Sequence, residues 1–322
     1  MKKCKSFGLL TPLLMAALIL TSCGGSDSAQ QGESESDGDT QGMDDGETSG
    51  MDYDSMDQGV GETTTANEEV VNAEAAGASV ELASEPAAPQ PGQPVTLSYR
   101  ITDKSGQTLT NLPLDHERPM HLIAVSSDLT QFQHIHPEIG TGDAYSVTTE
   151  FPEAGTYTLY DEFVYEGHKV LDRRELRVGE GADTDPSLTR DLAPKTEGTI
   201  TVAISGPEMI RAGEESSFTF TLTQGERSMT NLEPYLGAAA HVAVVSEDGE
   251  DFAHAHGEVG ADEGHEDMGS MDDMESMDSP PAAFGPEVSL HHTFPRPGLY
   301  KMWAQFSQEG RVITVPFVVE VH

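Results

Sequence analysis

The chain has 322 residues, with 56 Asp and Glu against 17 Lys and Arg, which gives a formal net charge of −39 at pH 7. A surface this acidic repels the phosphates of nucleic acid, so we expect no nucleic acid partner. It concentrates cations, including metal ions, near the protein. The same charge is also typical of proteins adapted to a salty habitat, and both interpretations stay open.

The amino end predicts export from the cytoplasm. The basic stretch MKKCKS is followed by the apolar run GLLTPLLMAALIL, which is too short to span a bilayer comfortably. The run leads into Leu20-Thr21-Ser22-Cys23, which resembles the lipobox of bacterial lipoprotein signal peptides. The resemblance implies that residues 1–22 form a signal peptide and that Cys23 is lipidated. An ordinary secretory signal is the alternative.

A lipid on Cys23 would hold the protein outside the cytoplasm, attached to a bacterial membrane that the chain does not cross. The next residue, Gly24, resembles the outer-membrane sorting signal of two-membrane bacteria. Because Cys4 would leave with the signal peptide, we expect neither a disulfide nor a cysteine metal site in the mature chain.

Residues 23–78 are rich in Gly, Ser, Asp, Glu and Thr and contain almost no large apolar side chains. Such a segment cannot bury enough apolar surface to offset its ordering entropy. We therefore predict a disordered acidic tether between the lipid and the folded part.

From residue 79 onward, Val, Thr, Tyr and Phe alternate with polar residues, and Gly, Pro, Asn or Asp interrupts the pattern at short intervals. This pattern predicts short antiparallel strands with negligible helix. We predict an all-β fold with two tandem immunoglobulin-like β-sandwich domains. They occupy residues 79–180 and 198–322, and the Pro- and Asp-rich stretch 181–197 links them.

The two halves of the folded part are copies. The segment HLIAVSSDLTQFQHIHPE (121–138) recurs as HVAVVSEDGEDFAHAHGE (241–258), offset by 120 residues without a gap. Farther on, FPEAGTY (151–157) recurs as FPRPGLY (294–300), offset by 143. The second copy therefore contains an insertion, which we place in the Met- and Asp-rich stretch 257–285.

Three histidines recur at the same spacing in each copy. In a His-x-His strand both side chains point to one face, with their roots about 7 Å apart. A hairpin that turns near Asp128 would bring the earlier histidine opposite this pair. We therefore predict two three-nitrogen metal sites, at His121, His134 and His136 and at His241, His254 and His256. Imidazoles suit copper, zinc or nickel; structural histidines inherited by duplication are the alternative.

Other polar residues receive less specific roles. We predict that Asp128 and Asp248 are hairpin-turn residues, since Asp bonds readily to the backbone of turns. The remaining strand histidines lack a counterpart in the other copy and are predicted to be surface residues: His168, His291 and His292. Glu138 and Glu258 follow the histidine pairs and are the candidates for a general base, but no catalytic arrangement is evident, so we predict a protein that is not an enzyme.

Methionines supply a weaker indication of metal binding. Met268, Met271, Met274 and Met277 recur every three residues in the insertion, and His265 precedes them. Thioethers are soft ligands that favour Cu(I). We predict a Cu(I)-collecting segment, with low-complexity drift as the alternative.

The block HLIAVSSDLTQFQHIHPE followed by FPEAGTYTLY resembles YtkA-like domains, a group of bacterial secreted and lipoprotein domains related to immunoglobulin-like folds and found near copper-handling systems. The resemblance spans both halves. It implies copper as the ion and copper-handling proteins as partners, while zinc stays a second possibility from imidazole chemistry. The second copy departs from the pattern, since Gly257 replaces Pro137 and Ala304-Gln305 replaces Asp161-Glu162, so equal activity of the two sites does not follow.

Together these features predict an extracytoplasmic, membrane-anchored lipoprotein that captures or buffers metal, copper first, through its histidine clusters. Binding would need neutral imidazoles, so affinity is expected to fall below about pH 6.5. The alternative is a duplicated immunoglobulin-like interaction module in which the histidines are structural.

Overall fold

Each half of the folded chain consists of two facing β-sheets in the computed structural model, which describes residues 70–140, 142–260 and 280–322. The elements of the first half are β1 (Val70–Val71), α1 (Ala73–Ala76), β2 (Ala78–Glu85), β3 (Pro94–Asp103), β4 (His121–Ser126), β5 (Phe132–Ile135), β6 (Glu138–Ile139), β7 (Tyr145–Glu150), β8 (Gly155–Tyr165) and β9 (His168–Val178). Those of the second half are β10 (Lys195–Glu197), β11 (Ile200–Ser205), β12 (Glu215–Gln224), β13 (Arg227–Ser228), β14 (Ala240–Ser246), β15 (Phe252–Gly257), β16 (Glu287–Thr293), β17 (Gly298–Gln308) and β18 (Arg311–Val321).

In the first domain, one sheet has the strand order β1-β9-β8-β4-β5 and the other has β2-β3-β7-β6. In the second domain, the corresponding sheets are β15-β14-β17-β18 and β10-β11-β12-β13, with β16 also paired to β12. All pairs are antiparallel except the short β1–β9 pair. Each pair of sheets encloses its own apolar core. The predicted all-β fold with two tandem sandwiches is confirmed.

The folded part begins earlier than predicted, because β1, α1 and the start of β2 lie within the last residues assigned to the tether. The side chain of Asn72 caps α1 by accepting a hydrogen bond from Ala75 N at 2.8 Å, and Gly77 ends the helix with φ of 84°. The predicted linker is also too long, since β10 pairs with β11. The signal peptide, Cys23 and the rest of the tether lie outside the described residues.

The part of the predicted insertion that the structure describes belongs to β15 and to the chain that enters β16. Residues 261–279, with His265 and the four regularly spaced methionines, lie outside the described ranges. Within the described ranges, no helix is long and apolar enough to span a membrane.

Strands β4 and β14 are buried at every residue, although an ordinary sandwich strand buries alternate residues. In β4, Leu122 and Ala124 face the core of the first domain, while Ile123 and Val125 belong to a separate cluster that includes second-domain residues. That cluster consists of Ile123, Val125, Leu129, Tyr160, Ala243, Val245 and Trp303. The two domains therefore pack their β4 and β14 sheets against each other within one compact unit.

Candidate metal centre

The histidines sit at one end of this interface because the strands that carry them alternate. His121 starts β4 on the same face as Ile123 and Val125, and His241 lies on the equivalent face of β14. Both imidazoles are 1% exposed. All six predicted histidines thus meet at a single place between the domains, whereas the sequence predicted two separate sites, one in each domain.

The hairpin turns that bring the histidines together are as predicted. Asp128 Oδ1 accepts hydrogen bonds from Ser126 Oγ at 2.6 Å and from Thr130 N at 3.0 Å. Asp248 Oδ1 accepts from Ser246 Oγ at 2.6 Å and from the backbone N of Glu250 at 3.1 Å. The turn role of both aspartates is confirmed, and β4–β5 and β14–β15 form matching hairpins.

In the first domain, His121, His134 and His136 gather around one point. His121 Nδ1 lies 3.0 Å from His134 Nε2, and His136 Nε2 lies 3.2 Å from the same atom. Their nearest ring nitrogens all fall within 4.8 Å of one another. We call the point between these three nitrogens the first position.

In the second domain, His241 Nδ1 lies 2.9 Å from His254 Nε2, which repeats the geometry of the first pair. Here the predicted triad does not close in the same way. His241 groups with His254 and the first domain's His134, and it also groups with His256 and His116 of the first domain. We call the point beside the His241 and His254 nitrogens the second position; its surroundings include side chains of both domains.

The two domains support each other's histidines in a reciprocal arrangement. His134 Nδ1 lies 2.7 Å from Oε1 of Gln305 in the second domain, and His254 Nδ1 lies 2.7 Å from Oε2 of Glu162 in the first. Glu162 and Gln305 occupy equivalent places, each directly opposite His121 or His241 in the strand register. The interface therefore has an approximate two-fold relation.

Aromatic side chains repeat this relation next to the histidines. Phe132 stacks on Trp303 with ring centroids 5.0 Å apart, and Phe252 stacks on Tyr160 at 4.1 Å. Each stack joins one domain to the other. Such stacking fixes the separation of the two sheets, and hence of the histidines that project between them.

Hydrogen bonds on the far side of each ring determine which nitrogens carry protons. His121 Nε2 lies 2.9 Å from the carbonyl oxygen of Asp115, and His241 Nε2 lies 2.8 Å from that of Tyr235. A carbonyl oxygen only accepts, so Nε2 donates in both rings and Nδ1 is left with a lone pair.

The partner histidines are fixed in the same way. Gln305 Nε2 donates to Thr314 Oγ1 at 3.1 Å, which leaves its Oε1 to accept from His134 Nδ1. The carboxyl of Glu162, once ionised, accepts from His254 Nδ1. Nε2 of His134 and of His254 then carries a lone pair. His134 Nε2 faces the bare Nδ1 of His121 at 3.0 Å, and His254 Nε2 faces that of His241 at 2.9 Å.

His116 completes the cluster, although no sequence pattern predicts a role for it. The turn from Asp115 to Arg118 closes with backbone bonds of 2.8 Å and 2.9 Å, and His116 adopts the left-handed conformation at φ of 44°. Its ring lies across the interface on His256, with centroids 3.6 Å apart. His256 Nε2 is buried and has no hydrogen-bond partner within the part of the chain that the structure describes. The equivalent turn of the second domain has Leu236 at this place, with φ of 50°.

Burial dominates the electrostatics of the cluster. It lowers the pKa of His134 to about 3 and the pKa of His136 and His241 to about 2, from an ordinary 6.5. It lowers the pKa of His121 and of His254 as well. Burial raises the pKa of Glu162 to about 7. The imidazoles are therefore neutral near pH 7, as metal ligands must be.

The other candidate residues lie elsewhere. Glu138 is exposed and pairs with Arg118 at 2.7 Å, and Glu258 is exposed as well. His168 and His291 are exposed, as predicted. The prediction for His292 is wrong in one respect, because its ring is half-buried 4.6 Å from Phe294, and burial lowers its pKa to about 4.

These features define an acidic protein of two β-sandwiches that encloses a histidine cluster between its domains. The chain belongs to the family described as domain of unknown function DUF8832, whose model matches residues 73–179 and 195–322, one stretch in each domain. No curated protein matches the chain.

Solved structures with a related architecture are distant. Trypsin-activated alpha-2-macroglobulin from Escherichia coli is 12% identical over 78% of this chain and 16% of its own, with a TM-score of 0.26. The S-layer protein SbsC domains 4 and 5 are 12% identical over 76% of this chain and 97% of theirs, with a TM-score of 0.19. Invasin, a bacterial integrin-binding protein, is 12% identical over 74% of this chain and 39% of its own, with a TM-score of 0.20. The chain thus spans a minor part of two of these proteins.

Proposed function

We propose that this protein captures or buffers a transition metal ion at the histidine cluster between its domains, copper first and zinc second. The lipobox-like segment further supports an extracytoplasmic lipoprotein, anchored to a membrane through Cys23. The metal role rests on one observation above all. Two pairs of imidazole nitrogens face each other lone pair to lone pair at 2.9 and 3.0 Å, in a buried site.

Two lone pairs at that distance repel each other unless a cation lies beside both. Two nitrogens bound at about 2.0–2.1 Å to one ion are about 3–3.5 Å apart, so the observed separations suit a shared ion. His136 Nε2, at 3.2 Å from His134 Nε2, adds a third donor at the first position. Donor sets made of imidazole suit copper and zinc.

The supporting hydrogen bonds also have the form found around metal-binding histidines. Such a ligand donates its other ring N–H to a carboxylate, an amide or a backbone carbonyl, which fixes its tautomer and orientation. His121 and His241 use backbone carbonyls, and His134 and His254 use side chains of the opposite domain. The buried site supports metal capture better than catalysis. A substrate would have to reach an ion beside His121 and His241, and these side chains are each only 1% exposed.

The decisive experiment is a Zn(II) titration of the full chain by calorimetry, with elemental analysis after dialysis. Zinc avoids the thioethers of the Met-rich segments, so it reports on the imidazoles. We expect retained zinc in the wild type and loss of that zinc in the double variant His121→Gln/His241→Gln. The matched control, His168→Gln, changes an exposed strand histidine and should retain the zinc.

A proton shared between each facing pair is the competing explanation for the short distances. It predicts that the wild type and the double variant retain the same amount of zinc, and that result would reject the proposal. Melting curves of both variants show whether the fold survives the substitutions.

The Met-rich insertion is proposed as a lower-affinity Cu(I) collector. Changing Met268, Met271, Met274 and Met277 to Leu keeps size and apolarity but removes the sulfur atoms. The Cu(I) count should fall while Zn(II) binding and melting temperature stay unchanged. An unchanged Cu(I) count would assign the repeat to compositional drift.

A further inference from the structure

The two ion positions share the geometry of their facing histidine pairs but differ in the charge of the side chain that supports each pair. The side chain that accepts the hydrogen bond from His134 at the first position is the neutral amide of Gln305. At the second position, the acceptor from His254 is the carboxyl of Glu162, which is 2% exposed. The asymmetry comes from a single difference between otherwise equivalent strand positions.

The other charges of the cluster also lie on the first domain. Lys169 forms an ion pair with Asp115 at 3.4 Å, and Arg118, whose charge acts on His136, forms one with Glu138 at 2.7 Å. These four charges largely offset one another, and the carboxylate of Glu162 adds a net negative charge. In the second domain the residues equivalent to Asp115 and Lys169 are the uncharged Tyr235 and Val312.

The second position also has access to more nitrogen donors. His116 and His256 each have a ring nitrogen within 4.8 Å of one on His241, and among the described residues His256 Nε2 has no hydrogen-bond partner. At the first position the equivalent of His116 is Leu236, which offers no ligand atom. The acceptor behind His134 at the first position is thus a neutral amide, whereas the acceptor behind His254 at the second is a carboxyl, and two further histidines lie beside His241.

We infer that the second position selects a divalent ion, Zn(II) or Cu(II), and that the first position selects Cu(I). This inference rests on the proposed function, since it assigns an ion to each position of the same cluster. A divalent ion in a buried site needs a compensating negative charge, because burying an unbalanced charge costs free energy. Donation of His254 Nδ1–H to Glu162 supplies that charge and makes Nε2 more basic. Cu(I), with one positive charge, needs less compensation and accepts a smaller number of donors.

The chain offers a matched pair of substitutions, Glu162→Gln and Gln305→Glu, which exchange the two environments without changing side-chain length. We expect the wild type to bind one Zn(II) tightly. Glu162→Gln should weaken that binding by about 10- to 100-fold, the usual effect of removing a charged partner of a metal-bound histidine. Gln305→Glu should increase the number of tightly bound Zn(II) from one to two.

A second pair of variants shows which position holds the zinc. His256→Gln should weaken Zn(II) binding more than His136→Gln does, whereas His136→Gln should weaken Cu(I) binding more than His256→Gln does. The inference is overturned if Glu162→Gln leaves the zinc dissociation constant unchanged, or if zinc depends on His136 and not on His256. These failures differ from failure of the proposed function, in which the wild type retains no metal at all.

Discussion

In the first domain, the carboxyl of Asp161 on β8 lies in the core beside the buried ring of Tyr99. Arg174 lies 4.0 Å from that carboxyl and forms an ion pair with Asp172. At the equivalent places the second domain has Phe220, Ala304, Val315 and Phe317, all of which are buried and apolar. At the interface between the domains, in contrast, the facing histidine pairs and the aromatic stacks of one domain match those of the other.

This difference separates the requirements on a domain core from those on the interface. A domain core has to be filled, and both polar and apolar solutions are present here. The interface has to match a partner surface, so a change in one domain affects the other. The preserved histidines lie on the surface where the copies depend on each other.

The largest effect should come from breaking an aromatic stack in the interface. Trp303 is 3% exposed and stacks on Phe132, so Trp303→Ala should lower the free energy of unfolding by about 3–5 kcal/mol. Tyr160→Ala should have a similar effect, because Tyr160 is the reciprocal residue and stacks on Phe252. Urea denaturation followed by circular dichroism measures both.

Leu114→Ala serves as the control, since Leu114 is 68% exposed and its loss should change stability by less than about 0.5 kcal/mol. If Tyr160→Ala were as mild as this control while Trp303→Ala was severe, the reciprocal interface would be incorrect.

A smaller effect is expected from the polar cluster in the first core. Arg174→Phe removes the cation near the fully buried Asp161 and should cost about 2 kcal/mol, less than for a fully buried pair because Arg174 is 28% exposed. Adding Tyr99→Phe, Asp161→Ala and Asp172→Val copies the second domain's apolar solution and should recover the loss. A fourfold variant less stable than Arg174→Phe would show that the polar cluster is needed for the fold.

Acid should weaken the interface gradually. The pKa of His134 is about 3, below its ordinary 6.5. As the pH falls below about 6.5, the unfolded chain therefore binds more protons than the folded chain, and the free energy of unfolding decreases. Each histidine whose pKa is lowered by burial adds to this loss of stability. Glu162 and Asp161 act in the opposite direction, because burial raises the pKa of Glu162 to about 7 and that of Asp161 well above its ordinary value, but they are two groups against seven histidines. The urea midpoint should therefore be lower at pH 5 than at pH 7.5, and an equal midpoint would contradict the burial of neutral imidazoles.

Much of this architecture could be predicted from the sequence. The alternation of apolar and polar residues predicts the strands. The gapless offset of 120 residues indicates the duplication, and the repeated histidine spacing predicts that His121 meets His134. The reason is that hairpins are local, so spacing along the chain decides which residues meet.

The merging of the two sites could not be read from local spacing, because it depends on packing between domains. One signal was present: the runs HLIAV and HVAVV have no polar face, although an antiparallel sandwich strand normally has one. A strand with no polar face must be buried on both sides, and the second domain covers the outer side of β4. His116 was missed because it lies in a turn outside the repeated histidine pattern. The exchange of Glu162 for Gln305 was visible, but its meaning depended on contacts that cross the interface.

The proposed metal role requires that bare imidazole nitrogens face each other and accept a metal ion. Nitrogen NMR of the full chain with ¹⁵N-labelled histidine tests it directly, because protonated, bare and metal-bound ring nitrogens resonate at different positions. We predict that Nδ1 of His241 and Nε2 of His254 are unprotonated at pH 7.5 and shift on addition of Zn(II), while His168 does not shift. A proton on either of those two nitrogens, with no change when Zn(II) is added, would contradict the account.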